Sequence, residues 1–123
     1  MINWNNLDTL TSFKELSEVE RVNLAEVMSG ENGAERVKDY SVPMTEDLTY
    51  NYAAKAVDDK VLAALAKLAK EAQLTEKYAA LYNGEVINTG EKRLVLHQLT
   101  RGQLGDKVEA DGVDKREFYV KQQ

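Results

Sequence analysis

Asp58-Asp59-Lys60-Val61-Leu62-Ala63-Ala64-Leu65-Ala66-Lys67-Leu68-Ala69-Lys70-Glu71-Ala72 is the stretch that decides the fold class. Its apolar residues Val61, Leu62, Leu65, Leu68, Ala69 and Ala72 recur at three- and four-residue steps, which puts them on one side of an α-helix. Lys60, Lys67, Lys70 and Glu71 take the other side. Either Asp58 or Asp59 can cap the first turn, because a short carboxylate accepts from the amides that open a helix. Beyond Ala72, Thr75 restarts a helical pattern through Tyr78, Leu81 and Tyr82, and Gly84 closes it. The spacing predicts an αα-hairpin turning near Leu74, with Leu62, Leu65, Leu68 and Leu81 in one core.

Working outward to the N-terminus, Leu7, Leu10, Phe13, Leu16, Val19, Leu24, Val27 and Met28 again fall at roughly helical spacing. Ser12 with Glu15, and Ser17 with Glu20, match capping boxes, so two helices are expected to meet near Ser17. Gly30-Glu31-Asn32-Gly33 reads as a connection whose glycines close the helix in the left-handed conformation. Val42 is extended ahead of Pro43, and Leu48, Tyr50 and Tyr52 alternate with Thr49 and Asn51. One short strand follows from this, with its hairpin partner left open.

Toward the C-terminus, Leu94, Val95, Leu96 and Leu99 predict a helix over Glu91–Thr100. Asp111-Gly112 between Val108-Glu109-Ala110 and Val113 signals a tight turn. Lys115 to Gln123 reads as the first turns of a helix with nothing after it to pack on. There is no internal repeat, low-complexity tract or long linker. The expectation is one unit over 1–123, mainly α with a few short strands.

Composition narrows the function. With 123 residues, 43% hydrophobic and 30% charged, the chain supplies one small core and sits near the commonest size for a single domain. Sixteen basic against twenty-one acidic residues give a net charge of −5, and no basic run follows a phosphate backbone, so nucleic acid is a poor partner. The absence of cysteine excludes a disulfide framework and a thiolate zinc site, and His97 is the single histidine. Met1 to Asn6 lacks the features of a secretory signal, and no apolar run is long enough to span a membrane. The reading is cytoplasmic, with no cofactor and no metal.

Few residues suggest chemistry. Gly84-Glu85-Val86-Ile87-Asn88-Thr89-Gly90 is the nearest approach to a phosphate loop, but no Lys-Ser or Lys-Thr follows its second glycine. His97 follows three apolar residues, so its ring is expected half-buried in a structural role, with one nitrogen bonded to backbone. Arg93 lies four residues earlier on the same expected helix face, placed to tie that helix to a neighbouring segment or to a carboxylate. Tyr50, Tyr52, Tyr78 and Tyr82 read as packing aromatics in preference to a sugar-stacking set, and Lys67, Lys70 and Lys77 as a solvated face.

The stretch Asn83-Gly84-Glu85-Val86-Ile87-Asn88-Thr89-Gly90-Glu91-Lys92-Arg93-Leu94-Val95-Leu96-His97-Gln98-Leu99-Thr100-Arg101 resembles the N-terminal signature of glucose-6-phosphate isomerases. That family carries a Gly-Glu-x-Ile-Asn-x-Thr-Glu-x-Arg-x-Val-Leu-His block with an arginine close behind. Gly84, Glu85, Ile87, Asn88, Glu91, Arg93, Val95, Leu96, His97 and Arg101 match in register. The similarity extends through the Leu62–Ala72 helix to Val108-Glu109-Ala110-Asp111-Gly112, and upstream to Tyr52, Val57 and Glu35-Arg36-Val37 to Tyr40. Ala53, Ala54, Lys55 and Ala56 depart from it, standing where the family has Ser, Lys, Asn and Arg. Gly90 replaces a threonine, with Thr89 left to cap the following helix.

The resemblance implies the N-terminal part of an α/β/α sugar isomerase, whose parent interconverts glucose 6-phosphate and fructose 6-phosphate in glycolysis and gluconeogenesis. It implies a homodimeric parent, with the remainder of that chain as partner. The family's catalytic groups follow an Ile-Gly-Ile-Gly-Gly-Ser motif that is absent here. Neither Glu91 nor His97 takes a catalytic position by this match, so no catalytic, substrate-binding or metal residue is assigned. Alone, the chain is expected to be inactive. The alternative is a free-standing helical domain serving as a protein-interaction module or degenerate remnant.

Overall fold

The computed structural model describes residues 1–101 and 107–122. Among the described residues short helices dominate, interrupted by three two-stranded antiparallel hairpins. Two compact units result, one from Leu10–Leu68 and the other from Met1–Thr9 with Ala69–Gln123.

In the first unit, α1 (Thr11–Glu18) and α2 (Leu24–Ser29) are separated by Val19–Asn23. The break falls after Glu18, near Ser17 as expected, but neither Ser12 nor Ser17 stands at the N-cap of a helix, so neither expected capping box is in place. Leu10 occupies the N-cap of α1, so Ser12 sits buried within the first turn, while Asn23 caps α2 by accepting from the Glu26 amide at 3.4 Å. A further helix, α3 (Gly33–Asp39), begins on the last glycine of the expected Gly30–Gly33 connection, over residues given no element from the sequence. Gly33 begins it and does not close α2: a Cβ there would meet the Met28 carbonyl oxygen at 2.5 Å. Close approach, and not left-handed backbone, demands this glycine.

β1 (Ser41–Thr45) and β2 (Leu48–Asn51) supply the partner left open by the sequence, with Val42 opposite Tyr50 and Pro43 opposite Thr49. α4 (Asp59–Glu71) is the helix expected from its periodicity. Of its two candidate caps, Asp58 acts, its carboxylate accepting from the Val61 amide at 2.8 Å. Leu65, expected in the core, is 39% exposed. Ala64 is the buried residue of this helix. Lys67 is on the solvated face as expected, paired with Glu15 at 3.3 Å.

In the second unit, α5 (Leu74–Tyr82) follows a left-handed Gln73. Gln73 also holds the N-terminal segment, its side-chain oxygen accepting from the Asn3 amide at 2.7 Å. Lys77 lies 5.5 Å from the centre of the Trp4 ring, a cation over an aromatic face. β3 (Val86–Asn88) and β4 (Arg93–Leu94) then form a hairpin, followed by a 3₁₀ turn over His97–Thr100. This replaces the helix expected over Glu91–Thr100. The Asn88 carboxamide accepts from the Glu91 amide at 3.2 Å, and Lys92 has φ 53°, so the chain reverses where a helix would start. Thr89 caps nothing helical.

The turn at Asp111-Gly112 forms as expected, both residues having positive φ between β5 (Glu109–Ala110) and β6 (Val113–Asp114). It leads into α6 (Lys115–Val120), capped by Asp114, whose carboxylate accepts from the Arg116 and Glu117 amides. α6 is not left without a neighbour. It packs on the His97–Thr100 turn and on β5 and β6.

Candidate functional site

Among the described residues, two places hold polar groups in built geometry. In the first, α3 carries Arg36, which is 9% exposed. Its Nε donates to the Ala53 carbonyl at 2.9 Å, and Nη2 donates to those of Lys55 at 3.1 Å and Val57 at 2.7 Å. The guanidinium carbon lies 4.0 Å from the centre of the Tyr40 ring, one helical turn on. A planar fork suits this task, since one side chain satisfies three carbonyls that a turn without regular pairing leaves open. Tyr40 packs on Tyr52, with ring centres 5.3 Å apart, and so closes the aromatic side of the clamp.

Ala53, Ala54, Lys55 and Ala56 lie on the turn that the clamp holds. Arg36 holds the turn through main-chain carbonyls, while the Ala53 side chain is itself buried at 2% exposure. Reading the sequence for chemistry passes over Arg36, although its four-residue spacing to Tyr40 on a helical stretch is a readable signal. A cavity of about 470 Å³ opens beside it, lined by Glu26, Val27, Gly30, Asn32, Glu35, Asp39 and the Arg36–Tyr40 pair. Arg36 is committed to its carbonyls and offers no donor array for a phosphate dianion, which the three carboxylates would repel.

The second place is the Asn83–Arg101 stretch. Gly84 has φ 72° and terminates α5. Its amide donates to the Leu81 carbonyl at 3.2 Å, and the Glu85 amide donates to that of Ala80 at 2.9 Å. This is the paired closure that a left-handed residue makes at a helix C-terminus. The first two amides of the candidate phosphate loop are thereby spent on the helix end. A Cβ at Gly84 would also overlap Val108 Cγ1, and Val108 is 1% exposed.

Arg93 and His97 do not share a helix face as expected, since the segment is a strand followed by a 3₁₀ turn. Glu91 accepts from the Asn88 side-chain amide at 3.3 Å and pairs with Arg93 at 3.8 Å, all within the exposed hairpin turn. Arg93 therefore finds a carboxylate two residues away and ties no helix to a neighbour. His97 is exposed, not half-buried, at the start of the 3₁₀ turn. It borders two shallow recesses, one of about 200 Å³ with Leu94, Leu96, Thr100 and Tyr119, the other of about 360 Å³ with Tyr78, Leu81, Tyr82 and Arg101. The anchoring falls to its neighbours. Gln98 donates to the Leu81 carbonyl at 2.9 Å, and Leu99 is 0% exposed.

The four tyrosines split into two packing pairs. Tyr50 and Tyr52 stack with centres 6.1 Å apart, and Tyr78 and Tyr82 with centres 5.9 Å apart. Each pair lies within its own unit. Among the described residues no group of three or more acidic or histidine side chains could hold a metal ion, and no helix is long and apolar enough to cross a membrane.

What the second place shares with known proteins decides the family. A model of the phosphoglucose isomerase family matches residues 51–121 of this chain. The chain belongs to that family. The glucose-6-phosphate isomerase of Treponema denticola is 52% identical over 95% of the chain. That of Treponema pallidum (strain Nichols) is 42% identical over 98%, and that of Borreliella afzelii 40% over 97%. The matches cover only 23%, 23% and 22% of those three enzymes. The chain thus spans less than a quarter of the length of the curated relatives it matches. Gly84, Leu99 and Val108, with the Asp111-Gly112 turn, lie within the family match, as does the loop that Arg36 clamps; Arg36 itself lies before it.

Proposed function

We propose that the chain is the N-terminal, structural segment of a glucose-6-phosphate isomerase. The enzyme it serves interconverts glucose 6-phosphate and fructose 6-phosphate in the cytoplasm, in glycolysis and gluconeogenesis, and is a homodimer. One observation carries this reading: 52% identity runs over 95% of the chain while covering 23% of the matched isomerase. The site geometry supports an ancillary role for residues 1–123. Proton transfer between adjacent carbons needs a base and cationic or hydrogen-bonding groups aimed at one enediolate. Glu91 is engaged with Asn88 and Arg93 in a hairpin turn, His97 stands exposed on another segment, and Arg36 is spent on carbonyls.

The test is a coupled isomerase assay of the purified chain, alone and mixed with the Treponema denticola isomerase lacking the stretch that this chain matches. The chain alone is expected to give no turnover, and the mixture to recover it. Turnover by the chain alone that survives purification and disappears in Glu91→Gln or His97→Gln would overturn the reading.

A further inference from the structure

The β1–β2 hairpin turns an apolar face outward. Val42 and Tyr50 stand opposite each other, and Leu48, two residues from Tyr50, shares their face. They are 45%, 50% and 58% exposed, and Met44, the additional residue where the register shifts, is 61% exposed. The face continues inward through the Tyr50–Tyr52 and Tyr52–Tyr40 ring contacts to the buried Arg36. Its outer half is therefore an extension of packed structure.

The two edges of this sheet are unequal. The Tyr52 amide donates to the Tyr40 carbonyl at 2.8 Å. Antiparallel pairs alternate, so Val42 and Tyr50 bond each other while Pro43, Thr49 and Asn51 direct their backbone groups away from the ladder. Pro43 removes a donor from the outer edge of β1, which blunts it. The outer edge of β2 keeps the amides and carbonyls of Thr49 and Asn51.

We propose that the outer edge of β2, with the face of Val42, Leu48 and Tyr50, seats an extended apolar strand from the rest of the isomerase chain. This rests on the reading that residues 1–123 serve a longer isomerase. Relatives carry more than three-quarters of their length outside the stretch matched here. A two-stranded hairpin with an apolar face is marginal by itself and gains from a third strand. The face carries no charge to select a nucleic acid or an anionic surface.

The experiment measures binding of the 123-residue chain to the Treponema denticola isomerase lacking its matched stretch, with recovered turnover as second readout. Leu48→Lys with Tyr50→Lys is expected to weaken binding at least tenfold. Thr49→Pro, which removes an outward amide and no ladder bond, is expected to weaken it, whereas Thr49→Lys on the opposite face leaves it within twofold. Far-UV circular dichroism and melting report whether each variant is folded; should Thr49→Pro unfold, the Leu48/Tyr50 pair still decides. Equal binding by wild type and the Leu48/Tyr50 variant overturns the seat and leaves the functional reading standing. No binding by wild type to a remainder that circular dichroism and melting show to be folded overturns that reading and the seat with it. Self-association of the chain, abolished by Leu48→Lys with Tyr50→Lys, gives the face to a second copy and overturns the assignment.

Discussion

The turn at Tyr52–Val57 and the segment around Gly84, Leu99 and Val108 are both irregular, yet they are held in opposite ways. The first hangs from one guanidinium through three main-chain carbonyls. The second is a contact of shapes, in which a bare Cα lies against Val108 and Leu99 is fully enclosed. Clamping through the backbone leaves the exposed side chains of Ala54, Lys55 and Ala56 free to change, though not that of the buried Ala53. Packing through side chains does not, because an added methyl group must displace something. The contrast predicts that Ala54, Lys55 and Ala56 tolerate substitution and that Gly84 does not.

The sharpest way to break the contrast is Gly84→Ala. The substitution combines a left-handed backbone that a Cβ disfavours with overlap against a buried valine, for a loss of roughly 2 to 5 kcal/mol. Pairing it with Val108→Ala removes the overlap and keeps the backbone strain. Chemical denaturation should show the double variant losing less than the two single losses added together. Simple additivity would mean that Gly84 and Val108 do not press on one another, and the packing account would fail.

This difference also governs what is legible in the sequence. α4 can be read because its apolar stripe, Val61 to Ala72, is long and agrees with the aspartate at its start. The Asp111-Gly112 turn can be read because two residues of positive φ have a narrow chemistry. Glu91–Thr100 reads wrongly as a helix because Leu94, Val95, Leu96 and Leu99 carry no period that separates a strand followed by a 3₁₀ turn from a helix. The deciding signal is local and polar: Asn88 accepting from the Glu91 amide. α3 escapes notice since Gly33 reads as an ending, and only its approach to Met28 shows it to be a beginning. For the site, the family block is legible as a pattern of residues, but the clamp is not. Arg36 acts on the carbonyls of Ala53, Lys55 and Val57, and a carbonyl has the same identity in every sequence.

On the clamped side, Arg36→Lys keeps the charge and discards the fork. A lysine ammonium cannot reach three divergent carbonyls in one plane, so a loss of about 2 to 3 kcal/mol is expected, against less than about 0.5 kcal/mol for Ala54→Ser on the turn itself. Denaturation midpoints of both variants check the pair of values. Equal effects would show that the turn is held by its own side chains, which would erase the distinction from the Gly84 region.

The smallest effect lies outside both regions and calibrates them. Lys121 donates to the Glu117 carboxylate at 2.7 Å on the exposed side of α6. The hydrogen bond to Glu117, and then its charge, raise the lysine pKa above its ordinary value. A cation whose folded pKa is raised stabilises the fold fully below its unfolded pKa, about 10.4, and that contribution fades as pH climbs through the folded value. Lys121→Gln should therefore lower the melting temperature slightly and by the same amount from pH 6 to 9. The gap to wild type should close only in more alkaline solution, and it should shrink in 1 M salt because the pair is open to solvent. Calorimetric melts across that range decide it. A gap that widens between pH 6 and 8 would implicate a group titrating near neutrality, and one as large as that of Arg36→Lys would show that exposure is no guide to which polar contacts hold this chain.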